Sequence, residues 1–414
     1  MKAAASYVAI LAWTAVCLVG AIVSFNYVVD PYGIYSRLEI EGVNATKHAR
    51  ETRLRMHKAA AIEAVRPTGL ILGSSRANRA LDPRHPSWRA KVVYNLATPG
   101  GNMFETRRVL EHAHGVRRLS QVVFAADFFM FNALRPNSND FNSGRLRGAR
   151  YLEYVPARMQ EAVATLLSLD ALSDGVATIM RQRDPCRGVL WVYLTRADGF
   201  TEQRACVRYD AHKAFTHIIP ALVGRQDVPA DQRTFYRPFS FENAVSRLSS
   251  FEEYERIVRL AYADGVDLRV VILPVHAWQL EVIQAEGLWP SYERWKRELL
   301  AVASRNAKGH ARIPVWDFTA YNALTTEEVP LPGRSQVPMR WYVDPSHPTK
   351  EFGDRVLDIV LADGGTEGFN PHRGLGVRLS AETIDDHLAG IRSDRNVYAR
   401  GNETRLQEVY QLVR

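Results

Sequence analysis

Two serines, Ser74 and Ser75, directly follow a short apolar run at positions 69–72, with Gly73 between them and the run. An uncharged run of this length is typical of a buried parallel strand. A strand that ends in Gly-Ser-Ser brings a hydroxyl group to the carboxyl edge of a sheet, where open α/β folds bind their ligands. Ser75 is therefore a candidate nucleophile. The alternative is a serine-rich turn that only caps the next helix.

A second polar segment lies near the other end of the chain, where Asp344 precedes His347 by three residues. A serine hydroxyl is a weak nucleophile until a base removes its proton. That base is commonly a histidine that a carboxylate holds in one tautomer. Pro345 and Pro348 stiffen the segment, so both side chains can face one serine. An ordinary Asp-Pro turn with a surface histidine is the alternative.

Four short blocks, taken together and in order, resemble the conserved blocks of the SGNH hydrolase superfamily: Gly73-Ser74-Ser75, Gly100, Ala125-Ala126-Asp127 and Asp344-x-x-His347. The sequence is most similar to the membrane-anchored branch that acts on envelope polysaccharides, which includes alginate acetylation and teichoic-acid alanylation proteins. The resemblance covers residues 63–132 and 265–362.

This resemblance implies a role for each matching residue. Ser75 is implied as the nucleophile, His347 as the base and Asp344 as the carboxylate that orients it. The backbone N–H groups of Ser75 and Gly100 are implied as the donors that bind the oxyanion. A serine esterase or O-acyltransferase is the implied activity.

Two positions depart from the superfamily pattern. Ser74 stands where the superfamily usually has aspartate, and Asp127 stands where it usually has the oxyanion asparagine. An ionised carboxylate at that place would repel a developing oxyanion. Three explanations are open: Asp127 is neutral, another donor such as Asn102 or Asn132 serves, or catalysis is weak.

His276 follows the clearest buried strand of the sequence, at positions 267–274, so it should reach the same sheet edge as Ser75. It is a candidate substrate-binding residue, together with Asn102 and Asp127. A histidine held only by structural hydrogen bonds is the alternative. We expect no metal and no cofactor, because the sequence has no zinc helix, phosphate loop, Cys-x-x-Cys pair or evident carboxylate cluster.

Apolar runs alternate with amphipathic segments over much of the chain, which predicts an α/β fold. Strands are expected at 69–73, 91–96, 121–126, 267–274 and 314–318. The resemblance implies a three-layer, flavodoxin-like (SGNH hydrolase-like) parallel sheet with a long helical insertion. The expected segments are an anchor (1–30), a linker and helix (31–66), the catalytic core (67–132 and 265–362), the insertion (133–264) and a C-terminal extension (363–414).

Residues 3–29 carry no charge. As a helix rising about 1.5 Å per residue, they exceed the roughly 30 Å hydrocarbon core of a bilayer. A cleaved signal peptide is the rival, but Ser24-Phe25-Asn26-Tyr27 is not a small-residue cleavage site. Lys2 and the amino terminus favour a cytoplasmic start. The expected location is the inner membrane, with a single span and the bulk of the chain in the periplasm.

Lysine and arginine number 53 against 45 acidic residues, a net charge of +8. A basic chain favours anionic partners, but no dense basic run or nucleic-acid motif occurs, so nucleic acid is not an expected partner. Cys186 and Cys206 lie outside the span and could pair in an oxidising compartment; two free thiols are the alternative. Cys17 lies within the span.

The sequence therefore predicts a membrane-anchored, extracytoplasmic serine esterase or O-acyltransferase that acts on O-acetyl groups of a cell-envelope polysaccharide. Its expected partners are the membrane, the polysaccharide and proteins of envelope polysaccharide synthesis. The main alternative is a non-catalytic glycan-binding or assembly factor on the same fold. A metal-dependent nuclease-like or phosphatase-like use of aspartate and histidine is a further alternative.

Overall fold

The computed structural model describes residues 2–35, 38–148, 151–186, 191–206, 210–224, 235–333, 339–362 and 374–414. The chain forms two compact units. The first unit contains residues 1–64, 140–196 and 201–207, and the second contains residues 65–139, 197–200 and 208–414. These units cut across the expected segments, because helices at 211–223 and 250–264 belong to the second unit rather than to a separate insertion.

The elements are numbered along the chain. The strands are β1 (Gly69–Leu72), β2 (Val93–Asn95), β3 (Gln121–Ala125), β4 (Trp191–Thr195), β5 (Thr201–Ala205), β6 (Asp267–Ile272), β7 (Val315–Asp317), β8 (Tyr342–Asp344), β9 (His347–Pro348) and β10 (Val377–Arg378). The helices are α1 (Lys2–Val29), α2 (Leu54–Val65), α3 (Ser75–Ala80), α4 (Met103–Val116), α5 (Tyr151–Leu166), α6 (Leu169–Arg181), α7 (Ala211–Val223), α8 (Ser250–Asp264), α9 (Ala277–Ala285), α10 (Trp289–Arg305), α11 (Lys350–Val360), α12 (Ile384–Gly401) and α13 (Glu403–Val413).

A mostly parallel sheet forms the core of the second unit. Among the described residues its strand order is β10-β7-β6-β3-β1-β2, and only β10 runs antiparallel to its neighbour. Every residue of β1 and β3 is buried, as expected for strands covered on both faces. The predicted α/β fold with a mostly parallel sheet is confirmed, and the five expected strands occur within a few residues of their predicted positions.

The strand order creates a crevice beside β1. The chain passes from β1 outward to β2 and then returns to β3 on the other side of β1. The loops that follow β1 and β3 therefore leave in opposite directions, and open sheets bind ligands at such a switch point. The register pairs Leu72 with Phe124, so the turn after β1 lies level with the segment that begins at Ala125.

The C-terminal segment belongs to the second unit. Its last part forms the helices α12 and α13. Strand β10 was not expected, because two residues carry no periodicity. It pairs with β7 through Val377 and Asp317, while α13 packs against α7 and α9. The segment therefore completes this unit.

The first unit contains helices α1, α2, α5 and α6 and the hairpin β4–β5. Helix α1 is long and apolar enough to cross a membrane: residues 4–29 have a mean hydropathy of 2.4 in their most apolar window, and none of that window is buried. Its end is anchored in the unit, where Asn26 Nδ2 donates to the carbonyls of Leu166 and Ser168.

A disulfide joins Cys186 to Cys206 and encloses the β4–β5 hairpin. The sequence left this pairing open. We expect the Cys186→Ala/Cys206→Ala variant to lose about 3 kcal/mol of unfolding free energy, because a crosslink that closes a loop of this length restricts the unfolded chain. Urea denaturation followed by circular dichroism measures the loss. Cys17→Ala is the matched control, and an unchanged midpoint in the double variant would contradict the expectation.

Candidate active site

Ser75 stands at the carboxyl end of β1, as the first residue of α3. The turn requires Gly73, whose φ of +144° is rare for residues with a side chain. A Cβ atom at Gly73 would lie 2.8 Å from the carbonyl oxygen of Ala125 and 2.9 Å from the Cβ of Ala77. The glycine therefore lets β1 turn sharply against β3 and leaves Ser75 partly exposed.

His347 and Asp344 reach this serine from the β8–β9 hairpin. The Nε2 atom of His347 lies 2.8 Å from Ser75 Oγ, and its Nδ1 atom lies 2.7 Å from Asp344 Oδ2. The other carboxylate oxygen accepts the backbone N–H groups of Ser346 (2.8 Å) and His347 (3.0 Å). The three residues form a hydrogen-bonded chain across 272 positions of sequence.

The surroundings of His347 and Asp344 favour the protonation states that a general base requires. Burial lowers the pKa of His347 below its ordinary 6.5, as do Arg79 and Arg76, and these effects exceed the opposing effect of Asp344. For Asp344, burial raises the pKa, but His347 and the N–H group of Ser346 lower it more, so the net shift is downward. The imidazole is therefore neutral and the carboxylate ionised near pH 7.

Two backbone features fix the hairpin against the serine. Gly353 in α11 allows that helix to approach α3, because a Cβ there would lie 1.9 Å from the carbonyl oxygen of Ala80. The backbone N–H of His276 donates to the carbonyl of Pro345 at 3.0 Å. The segment that carries Asp344 and His347 is thus attached on both sides.

Asp127 forms a buried ion pair next to Ser75, with Arg76 as its partner. Its carboxylate accepts Arg76 Nη1 at 2.8 Å and the hydroxyl of Ser74. The same hydroxyl accepts the backbone N–H of Arg76 at 3.3 Å. Burial opposes the charge of Arg76, but Asp127 and Tyr236 outweigh it and raise the pKa of the guanidinium. Asp127 therefore positions the residues on both sides of Ser75.

A buried hydrogen-bond network connects this ion pair to the histidine hairpin. Ser346 Oγ donates to Gln279 Oε1, and Gln279 Nε2 donates to the hydroxyl of Tyr236, both at 2.5 Å. Tyr236 in turn lies close enough to Arg76 to raise the pKa of its guanidinium. The network joins the two halves of the site. Sequence reasoning missed these residues, and only Arg76 gave a signal, as a charge directly after Ser75.

Two backbone N–H groups remain available at the site. Within the described ranges, neither Ser75 nor Gly100 donates its N–H to a protein acceptor. Gly100 has a φ of +64°. Its loop is attached to the turn before Ser75 by the Thr98 N–H, which donates to the carbonyl of Gly73 at 3.0 Å. Such groups can bind an oxyanion where they converge on the reacting carbonyl.

The asparagines proposed as alternative donors are engaged elsewhere. Asn102 caps α4 by accepting the N–H of Glu105, and its amide donates to the segment 135–137. The amide of Asn132 donates to the carbonyls of Phe235 and Pro238. Both side chains hold loops together in this arrangement, so the structure brings neither amide to Ser75.

Asn102 nevertheless lines a cavity of about 290 Å³ with Met103, Phe104 and Arg135 among its other walls. Arg135 links this cavity to the Gly100 loop, because its Nη2 donates to the carbonyl of Gly100 at 2.7 Å. The cavity has both apolar and polar walls, and neither Ser75 nor His347 is among the residues that line it.

His276 lies in the interior rather than at the rim, with 1% of its surface exposed. Its Nδ1 accepts the N–H of Trp278, and its Nε2 lies 2.8 Å from the carbonyl of Glu327. Burial lowers its pKa to about 4. These contacts favour the structural alternative, in which His276 caps α9 and supports the Asp344–His347 hairpin.

Across the part of the chain that the structure describes, no group of three or more histidine, cysteine, aspartate or glutamate side chains could hold a metal ion. Comparison with known proteins gives no family: no family model matches the chain, and no curated protein matches it.

Proposed function

We propose that this protein is a membrane-anchored serine esterase or O-acyltransferase that acts on O-acetyl groups of a cell-envelope polysaccharide. The observation that carries the proposal is the hydrogen-bonded chain Ser75–His347–Asp344, with its 2.8 Å and 2.7 Å contacts. Nucleophile, base and orienting carboxylate at these distances are the arrangement that acyl transfer requires.

The proposed reaction begins when Ser75 Oγ attacks the ester carbonyl and His347 Nε2 takes its proton. The oxyanion accepts the N–H groups of Ser75 and Gly100. His347 then protonates the leaving alcohol, and the acyl group remains on Ser75. Water or a sugar hydroxyl, deprotonated by His347, attacks the acyl-enzyme and releases the product and the free serine. Asp344 stabilises the imidazolium in both steps.

Further observations support the wider proposal. The core strand order β2-β1-β3-β6-β7 is that of flavodoxin-like folds, which agrees with the SGNH-type fold that the sequence resembles. The membrane-compatible helix α1 and the Cys186–Cys206 disulfide together favour an oxidising compartment beyond the inner membrane, such as the periplasm. The proposal that the substrate is a polysaccharide rests on the sequence resemblance.

The alternative of a non-catalytic glycan-binding or assembly factor was motivated by Asp127. That carboxylate pairs with Arg76 and Ser74, so it gives no reason to expect a degenerate site. We therefore prefer the catalytic function, which requires a reactive serine.

A serine-directed fluorophosphonate probe tests the proposal on the full-length protein in detergent micelles. The wild type should be labelled at Ser75, and Ser75→Ala should not be labelled. Ser393→Ala is the matched control, because Ser393 is exposed on α12, away from Ser75 in the sequence. A folded wild-type protein that resists labelling at all pH values would overturn the proposal in favour of the non-catalytic factor.

The pH dependence of labelling follows from His347. Because burial lowers its pKa below 6.5, the neutral form should persist into mildly acidic solution. Attack requires that neutral form, so the second-order labelling rate should fall only as the pH drops below 6.5. Measurement of the rate from pH 4 to 9 gives the midpoint, and a midpoint above the ordinary histidine value would contradict the expectation.

A further inference from the structure

Helices α5 and α6 present apolar side chains to solvent on faces that do not pack within the first unit. The exposed fractions are 65% for Met159, 57% for Val163, 69% for Leu169 and 54% for Met180. Along α5 the exposed residues recur at intervals of four, and along α6 they recur at helical spacing on one side. The opposite sides of the same helices pack inward, through Ala157 and Ala171 among others.

Helix α1 enters the unit beside the junction of α5 and α6. Residues 4–21 of α1 are exposed throughout, a length of about 27 Å at 1.5 Å per residue, close to the roughly 30 Å of a bilayer core. The first contacts with the unit follow at once. Phe25 fills the space above Gly175, and Asn26 donates to the carbonyls of Leu166 and Ser168 at the α5–α6 junction.

We propose that the apolar faces of α5 and α6 form a membrane-docking surface that lies in the bilayer interface beside α1. The occupant is lipid, because the span of α1 ends at the level where these helices begin to contact it. Helices that lie in the interface combine an apolar face with a polar one, and α6 has both. The two helices meet at a bend of 52°, and the proposal places this bend along the membrane surface rather than across the bilayer.

A loop that is bonded to the end of α1 also exposes apolar side chains. Leu38 and Ile40 are exposed, and Asn44 Nδ2 binds their loop to α1 by donating to the carbonyls of Val28 (2.8 Å) and Leu38 (3.0 Å). Tyr27 is also exposed, and tyrosine is common at the membrane–water interface. Exposed apolar side chains thus occur both on the helices and on the loop that are bonded to the end of α1.

Spin-label accessibility tests the proposal on the full chain in nanodiscs of phosphatidylcholine and phosphatidylglycerol. Single cysteines replace Val163, Leu169 and Met180 in a Cys17→Ala background, and each carries a nitroxide. Contact with lipid raises collisions with oxygen, which concentrates in the bilayer, and lowers collisions with a water-soluble nickel chelate. We expect the ratio of the two to rise several-fold over that of the control Glu202→Cys, an exposed charged position on β5.

Two outcomes would overturn the proposal. Equal ratios at the three positions and at the control position would show that water covers the helices. Low collision with both reagents would show that protein, such as a second copy, covers them instead. A nitroxide on the native Cys17, which lies in α1, supplies the reference value for the bilayer interior. This test does not depend on the proposed enzymatic activity.

Discussion

His347→Asn is expected to reduce the rate of ester cleavage by about 10⁴-fold or more, because triad residues act as a unit and the loss of the base removes the activation of the serine. Hydrolysis of 4-methylumbelliferyl acetate by the full-length protein in micelles measures the rate.

A double variant makes the prediction specific. If Ser75 and His347 act in one step, Ser75→Ala/His347→Asn should be no slower than either single variant. Asp344→Asn should also lose about 10⁴-fold, because an asparagine amide would bind His347 Nδ1 in the wrong tautomer. Multiplicative losses in the double variant, or wild-type rates in His347→Asn, would contradict a shared mechanism.

Ser75, His347 and Asp344 could be predicted from the sequence, because each of them follows or belongs to a recognisable element. Ser75 follows an apolar strand, and Asp344 and His347 occupy one proline-bounded segment. Their meeting could not be derived from spacing, because 272 residues separate Ser75 from His347 and only the sheet topology brings the two segments together. The close approach of α11 to α3 at Gly353 gives no sequence signal either.

The hydrogen-bond network of Ser346, Gln279 and Tyr236 could not be predicted from the sequence. Tyr236 and Gln279 are isolated polar residues in separate segments, and their partners are defined only by packing. The same limit applied to His276, which was predicted to contact substrate because it follows a core strand. A strand-end position is shared by residues that face the crevice and residues that cap the next helix, as His276 does.

The two compact units follow contacts in space rather than order along the chain. Residues 140–196 join the N-terminal segment, while α7 and α8 join the sheet unit. Periodicity predicts helices but does not state which neighbour covers their apolar side. For α5 and α6, the exposure of their apolar side chains motivates the proposal that lipid covers them. This exposure is a property of the folded structure and has no signal in the sequence.

Asp127 offers the clearest test of how this site differs from the pattern that the sequence resembles. Arg76 and Asp127 are both almost fully buried, with 6% and 1% of their side chains exposed. Asp127→Asn keeps the shape of the side chain but leaves the guanidinium without its counter-charge. We expect a loss of about 3 kcal/mol in unfolding free energy, measured by urea denaturation, because an uncompensated buried charge is costly.

The charge is the cause only if removal of its partner restores the stability. Arg76→Met/Asp127→Asn should recover most of the loss, since an apolar side chain of similar length can replace a buried ion pair at little cost. Labelling of the folded Asp127→Asn variant should be slower than that of the wild type, because Ser74 and Arg76 hold the turn around Ser75 through this carboxylate. Faster labelling of Asp127→Asn would instead indicate that the carboxylate opposes the oxyanion. If the double variant is no more stable than Asp127→Asn, the effect of Asp127 on stability does not come from its ion pair with Arg76.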